Sequence, residues 1–219
     1  YEHEQKKKNW FNIGGKSKVF YKANDLKELV NLLKKLNNKE KIFILGAGSN
    51  TLINDKLFDG VVIKLSKNFN NISLLGEDII IAGSAVLDKS ISDFALNNNL
   101  SGFEFLSCIP GTIGGGIRMN AGCFGKEFKD ILLSIQAVDR EGNIKTIKSK
   151  DINFEYRNND LSEDLIFLSA SFKGIKSEAK KIKIETEKLK IEKAKNQPTK
   201  IKTSGSTFKN PVAQTKKKV

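Results

Sequence analysis

The sequence predicts an α+β fold. Two observations carry this reading. Apolar strand-like runs and helix-period segments are mixed without a strict β-α-β alternation, and residues 131–147 read as a hairpin. Taken in order, Asn24 or Asp25 can cap a helix, because a short polar side chain accepts from free N–H groups of the first turn. Leu26, Leu29, Val30, Leu33 and Leu36 then recur at helical spacing up to Asn37. KIFIL (41–45) reads as a buried strand followed at once by a glycine turn, and GVVIKL (60–65) and DIIIAG (78–83) read as two more strands. Residues 86–98 carry Leu87, Ile91, Phe94 and Ala95 on one helical face. A glycine-rich stretch runs from Gly102 to Gly125. ILLSIQAVD (131–139), the turn REGN and IKTI (144–147) form the hairpin, and LIFLSASF (165–172) is a further strand. From Ser177 to about Asn196 the chain is Lys/Glu-rich, lacks Gly and Pro, and reads as a solvated helix. Composition shifts near Asn68–Asn71 and near Gly174 divide the chain into expected units 1–68, 69–174 and 175–219, the last an incomplete third unit.

Composition removes several classes of chemistry. The 219 residues are 39% hydrophobic, enough for one large core or two smaller ones. No apolar run reaches the roughly 18 residues a membrane helix requires. The opening residues Tyr1–Lys8 are polar and charged, unlike a signal peptide. Cys108 and Cys123 are not spaced as a metal clip or a redox pair, so reduced thiols in a cytoplasm are expected. His3 is the only histidine, which leaves no Ser-His-Asp triad and no His-ligated zinc; no metal is expected. The net charge of +13 is spread over a Lys-, Asn- and Ile-rich chain with no basic stripe interleaved with aromatics. Compositional bias, and neither a nucleic-acid nor a membrane partner, is the expectation. Where Lys is used almost everywhere, Arg118, Arg140 and Arg157 stand out as places for planar, bidentate geometry.

Four constellations can carry chemistry. Gly46-Ala47-Gly48-Ser49-Asn50 follows a strand directly, and its free N–H groups can cradle a phosphate; a tight turn without ligand has the same spacing. It is not a dinucleotide fingerprint of the Rossmann type, because the third glycine is missing. Pro110-Gly111-Thr112-Ile113-Gly114-Gly115, followed by Asn120-Ala121-Gly122, is a second glycine-rich segment. Its glycines serve either close approach to a flat or anionic ligand or backbone-on-backbone packing. Two such segments suit a ligand with two phosphates, which favours a dinucleotide. Arg157, within Tyr156-Arg157-Asn158-Asn159, is either a surface charge or a cation aimed at a carboxylate. Ser204 to Pro211 gathers small polar groups around Gly205, and taken alone reads as an ordinary turn.

GAGSNTLI, GFEFLSCIPGTIGGGIRMNAGCFG, YRNNDL and QPTKIKTSGSTFKNP, in this order, resemble the successive signature segments of the UDP-N-acetylenolpyruvoylglucosamine reductase family, as NWFNIGGKSKVF resembles its N-terminal segment. The resemblance implies the vanillyl-alcohol-oxidase (PCMH) type of FAD-binding fold. Two α+β subdomains would hold FAD non-covalently, and a third domain would cover the substrate. Gly46, Ala47, Gly48, Ser49 and Asn50 match one segment around the FAD pyrophosphate, and Pro110, Gly111, Thr112, Ile113, Gly114 and Gly115 match the other. Asn120, Ala121 and Gly122 match a further FAD-contacting segment.

By the same resemblance NADPH is the co-substrate, and the partner is a UDP-sugar: the enolpyruvyl ether of UDP-N-acetylglucosamine, reduced to UDP-N-acetylmuramate in cell-wall precursor synthesis. Hydride would reach carbon C3 and a proton carbon C2. Arg157 matches the catalytic arginine that steadies the substrate carboxylate, Ser206 the proton donor and Asn210 a substrate-contacting asparagine. The short gap between Arg157 and Ser206 resembles the shorter class of the family. The family's glutamate near its C-terminus has no counterpart before Val219, so an incomplete third domain and impaired activity are expected. Two other readings stand beside this one. Another FAD oxidoreductase of the superfamily would bind flavin without oxidising NADPH. A non-catalytic flavin-binding remnant or a basic nucleic-acid binder would show no turnover.

Overall fold

The computed structural model describes residues 2–36 and 39–197. The chain builds two sheets. In the first, the spatial order is His3–Glu4, Lys16–Ala23, Phe58–Leu65, Lys41–Ile44. Its three longer strands run parallel and the two-residue edge strand is antiparallel. Parallel strands need crossovers, and the helix Leu26–Leu36 supplies the one between Lys16–Ala23 and Lys41–Ile44. Leu29 and Leu33 of that helix pack on Ala23, Val61 and Ile63 of the sheet.

The second sheet is antiparallel throughout, in the order Ile144–Lys148, Leu132–Val138, Ile166–Lys173, Ile79–Gly83, Ile72–Leu75. Alternation along Ile166–Lys173 sends Phe172 and Ala170 into the larger core, where Phe103, Phe105 and Phe128 meet it. Phe172 contacts Phe103 and Phe128 edge-on, and Phe128 contacts Phe105 likewise, with ring centroids 6.1–6.4 Å apart. The two sheets share apolar packing: Val138, Ile166 and Leu168 of the second belong to the cluster under the Leu26–Leu36 helix.

Structure and sequence reading differ in three places. Lys16–Ala23 and Ile72–Leu75 are strands that the apolar-run criterion passed over, because lysines in the first and exposure in the second dilute the signal. Inside the glycine-rich stretch lies a short helix, Ile113–Arg118, despite its three consecutive glycines. Tertiary contact overrides propensity here: a Cβ at Gly116 would lie 2.3 Å from the Phe128 ring, so only glycine lets the helix seat. The Lys/Glu-rich segment is the helix Ala179–Asn196, but it is not solvated all round. Ile182, Thr186 and Leu189 are buried, and the helix lies against Glu104–Cys108 and Asp88–Asn97. Three buried positions among so many charges give too weak a period to read from sequence. Both cysteines are free, and no helix of the described residues is long and apolar enough to cross a membrane.

Asp25 proves to be the cap of the first helix. Its carboxylate accepts the Glu28 N–H at 2.8 Å, while the Glu28 carboxylate reaches back to the Asn24 N–H at 2.9 Å. Asp25→Ala is expected to lower unfolding free energy by about 1 kcal/mol, read as a lower urea midpoint with an unchanged m value.

Candidate functional site

The two glycine segments meet. Gly46 lies at the end of the Lys41–Ile44 strand, one residue past Leu45, whose N–H donates to Ile63 at 2.9 Å. Thr112 is joined by a bridge to Leu87, just before the Asp88–Asn97 helix. A Cβ at Gly46 would stand 2.6 Å from Thr112 Oγ1, so the two loops touch at that point and position 46 has no room for a side chain.

What the loops present to their surroundings is main chain. The N–H groups of Gly46, Ala47, Gly48, Ser49 and Asn50 donate to nothing among the described residues. The same holds for Gly111, Thr112 and Gly115, whereas Ile113 and Gly114 spend theirs on Val86 and Ser84 carbonyls at 2.9 Å. An anion with several oxygens satisfies such unspent donors together.

Not every glycine serves that opening. Gly48, with φ +71°, is pressed against the Lys8 carbonyl and Asn9, and its own carbonyl accepts the Trp10 N–H at 2.9 Å. Gly114 lies on Ser84. For these two, backbone-on-backbone packing explains the residue. Gly46 and Gly111 instead face the Thr112 hydroxyl and the Asp88 carboxyl, and of the three Gly115 alone has room for a side chain. The residues present fit a dinucleotide diphosphate, since unpartnered donors from both loops sit side by side and no carboxylate pairs with any of them.

The third segment, Asn120 to Gly122, follows the short helix and is anchored to it by the Ala121 N–H donating to Gly116 at 2.8 Å. Asn120 is fully buried at φ +38°, and its side-chain amide donates to Glu127 Oε2 and to the Glu155 carbonyl, both at 3.0 Å. Arg157 joins the same knot. Its guanidinium donates to the Asn120 carbonyl at 3.2 Å and the Gly122 carbonyl at 2.7 Å, stacks on Tyr156, and stands 3.8 Å from Glu127. The remaining guanidinium N–H groups have no acceptor among the described residues. Asn120, Phe124 and Arg157 are three of the five non-glycine residues with positive φ in the described chain, so backbone strain gathers here.

Arg118 and Arg140 hold main chain elsewhere. Arg118 donates to the Leu161, Ser162 and Leu165 carbonyls over the Phe167 ring, and Arg140 pairs with Asp164 and the Glu40 carbonyl. Ser206 and Asn210 lie outside the described residues. Three residues of this region gave no sequence signal. Glu127 ties Asn120 to Arg157, and Ser84 and Asp88 lie beneath the second loop. Only a fold brings such scattered positions together. No group of three or more metal-ligating side chains occurs among the described residues.

The chain is similar to known FAD-binding proteins. A family model described as an FAD binding domain matches residues 17–148. The UDP-N-acetylenolpyruvoylglucosamine reductase of Pelagibacter ubique is 64% identical over all of this chain and 72% of its own length. That of Rickettsia typhi is 45% identical over 96% of this chain and 71% of its own. Among solved structures, the UDP-N-acetylenolpyruvylglucosamine reductase of Thermus caldophilus superposes with a TM-score of 0.84 at 26% identity, over 96% of this chain and 74% of that one.

The contact between the loops makes a specific prediction. Gly46→Ala is expected to force Thr112 aside and weaken FAD binding about tenfold, or 1.4 kcal/mol, measured by quenching of flavin fluorescence. Adding Thr112→Ala, which removes the opposing hydroxyl, is expected to recover most of that loss.

Proposed function

The chain belongs to the UDP-N-acetylenolpyruvoylglucosamine reductase family, and from that premise we propose that it reduces the enolpyruvyl group of UDP-N-acetylglucosamine enolpyruvate with FAD and NADPH, giving UDP-N-acetylmuramate in the cytoplasm. The observation that carries the proposal is the pair of loops with unpartnered N–H groups, in contact at Gly46 and Thr112. We read the two sheets as two FAD-binding subdomains, 1–68 and 69–174, with 175–219 beginning the unit that covers the substrate.

Bound FAD supplies the hydride chemistry of the reaction. The protein's part is placement and charge. Gly46 to Asn50 together with Gly111, Thr112 and Gly115 would hold the diphosphate through main-chain donors. Asn120 to Gly122 line the cofactor. Their register is supported by the hydrogen bonds from Asn120 to Glu127 and from Arg157 to the Asn120 and Gly122 carbonyls.

As carbon C3 of the enolpyruvyl group is reduced, negative charge grows on the carboxylate it is conjugated with. Arg157 meets that charge. Its planar fork holds two carbonyls on one edge and keeps further N–H groups for the substrate, which a lysine ammonium cannot do. Glu127 at 3.8 Å steadies the guanidinium, too far away to take over its donors. Ser206 donates the proton to C2; a weak acid suffices against so basic a carbon. Asn210 contacts the substrate.

The test is the visible spectrum of the purified protein. In a chain that includes the family's C-terminal glutamate, a flavin spectrum that bleaches with NADPH and recovers with the enolpyruvyl substrate is expected; loss of either step rejects the proposal. Under anaerobic stopped flow, Arg157→Lys is expected to leave flavin reduction by NADPH within about twofold and to slow reoxidation by substrate at least tenfold, on the order of 1.4 kcal/mol or more. Ser206→Ala is expected to act on the same second half-reaction. Equal losses in both halves argue against either role.

A further inference from the structure

Beneath the second glycine loop, three oxygens are buried without a hydrogen-bond partner among the described residues: Ser84 Oγ and both carboxyl oxygens of Asp88. Asp88 is 0% exposed and opens the Asp88–Asn97 helix. Its carboxyl lies directly under Gly111, where a Cβ would stand 2.7 Å from Oδ2. On the same turn the Asp88 N–H donates to the Gly111 carbonyl at 3.2 Å, which ties the start of the helix to the loop.

The charge state of this carboxyl follows from magnitudes. Burying an unpaired carboxylate costs several kcal/mol. The first turn of a helix returns about 0.3–1 kcal/mol to an anion, and Asp88 caps none of that turn's N–H groups. Burial alone acts on its titration and raises it well above the usual carboxylate range. Neither Lys89 and Asp93 of its own helix, nor anything in the Ile79–Gly83 strand, the turn after it or the Pro110–Thr112 loop, contributes a compensating charge. A carboxylate here would also repel a phosphate bound on the Gly111–Thr112 loop, since like charges interact strongly at a buried position.

We propose that Asp88 is an uncharged carboxylic acid beneath the Gly111–Thr112 turn, and that a dinucleotide diphosphate bound on that loop extends its protonated state to higher pH. The inference rests on the reading of the two loops as the FAD cradle. It also accounts for glycine at 111, since that carboxyl occupies the space a side chain would need.

Infrared spectroscopy tests it on the full chain, stripped of flavin and then reloaded. A protonated-carboxyl carbonyl band is expected at neutral pH in the original chain and absent from Asp88→Asn. Adding FAD is expected to move the loss of that band to higher pH. Correspondingly, FAD affinity of the original chain falls up to tenfold per pH unit once Asp88 ionises, while that of Asp88→Asn stays flat. No band in the original chain overturns the proposal, as does a band unmoved by FAD or a parallel decline in both proteins. If Asp88→Asn does not fold, the FAD-induced shift on the original chain with carbon-13-labelled aspartate decides alone. A chain that shows the band but binds no FAD at any pH rejects the cradle reading and leaves the protonated state of Asp88 standing.

Discussion

The organisation of this protein depends on main-chain N–H groups that the fold declines to satisfy. Helix and strand formation normally consume such donors, and an unspent one is a cost. Here two loops, 46–50 and 111–115, leave most of theirs unspent and are brought edge to edge. Each sheet supplies one of them. The parallel sheet ends its Lys41–Ile44 strand in the first, and the antiparallel sheet, through the segment after Ile79–Gly83, supports the second. The sheets also share apolar packing, with Val138, Ile166 and Leu168 under the Leu26–Leu36 helix. Fold stability and ligand geometry are therefore one problem in this molecule.

Much of this was legible in the sequence, for reasons that can be named. Long apolar strands such as those at 60–65 and 78–83 carry a period that propensity and burial both favour, and the Asp25 cap is chemistry local to a few residues. The glycine motifs gave the positions of the loops, though not why each glycine is there. Gly48 and Gly114 serve backbone packing, Gly116 makes room for Phe128, and Gly46 and Gly111 give way to Thr112 and Asp88. Spacing cannot separate these causes, because the partner in each case comes from another part of the chain. Lys16–Ala23 was missed for a related reason: a strand that alternates lysine with apolar residues reads as surface until its neighbours are known.

The arginines show the same limit from the other side. Planar guanidinium geometry is used at all three positions, since each clamps at least one backbone carbonyl. Composition could mark them as special but could not say which one stands at a site. Arg157 is set apart by its company. It shares a strained knot with Asn120 and Glu127, and its spare donors are not directed at the chain itself. Arg118, with carbonyls of Leu161, Ser162 and Leu165 around it, is spent on structure.

Charge balance ties the two ends of the site together. At the Arg157 end, Glu127 stands 3.8 Å from the cation, and on the proposed reading the remaining donors of the guanidinium meet the substrate carboxylate. At the other end, acidic Asp88 sits under the loop with nothing to pair it, and burial makes neutrality its cheaper state. On the proposed reading both arrangements suit anionic ligand groups, one by keeping a positive charge available and the other by withholding a negative one. Neither is visible as a net quantity, because +13 over the whole chain says nothing of where a single proton resides. Local desolvation, set by which glycine leaves room for which side chain, decides the field that an anionic ligand meets.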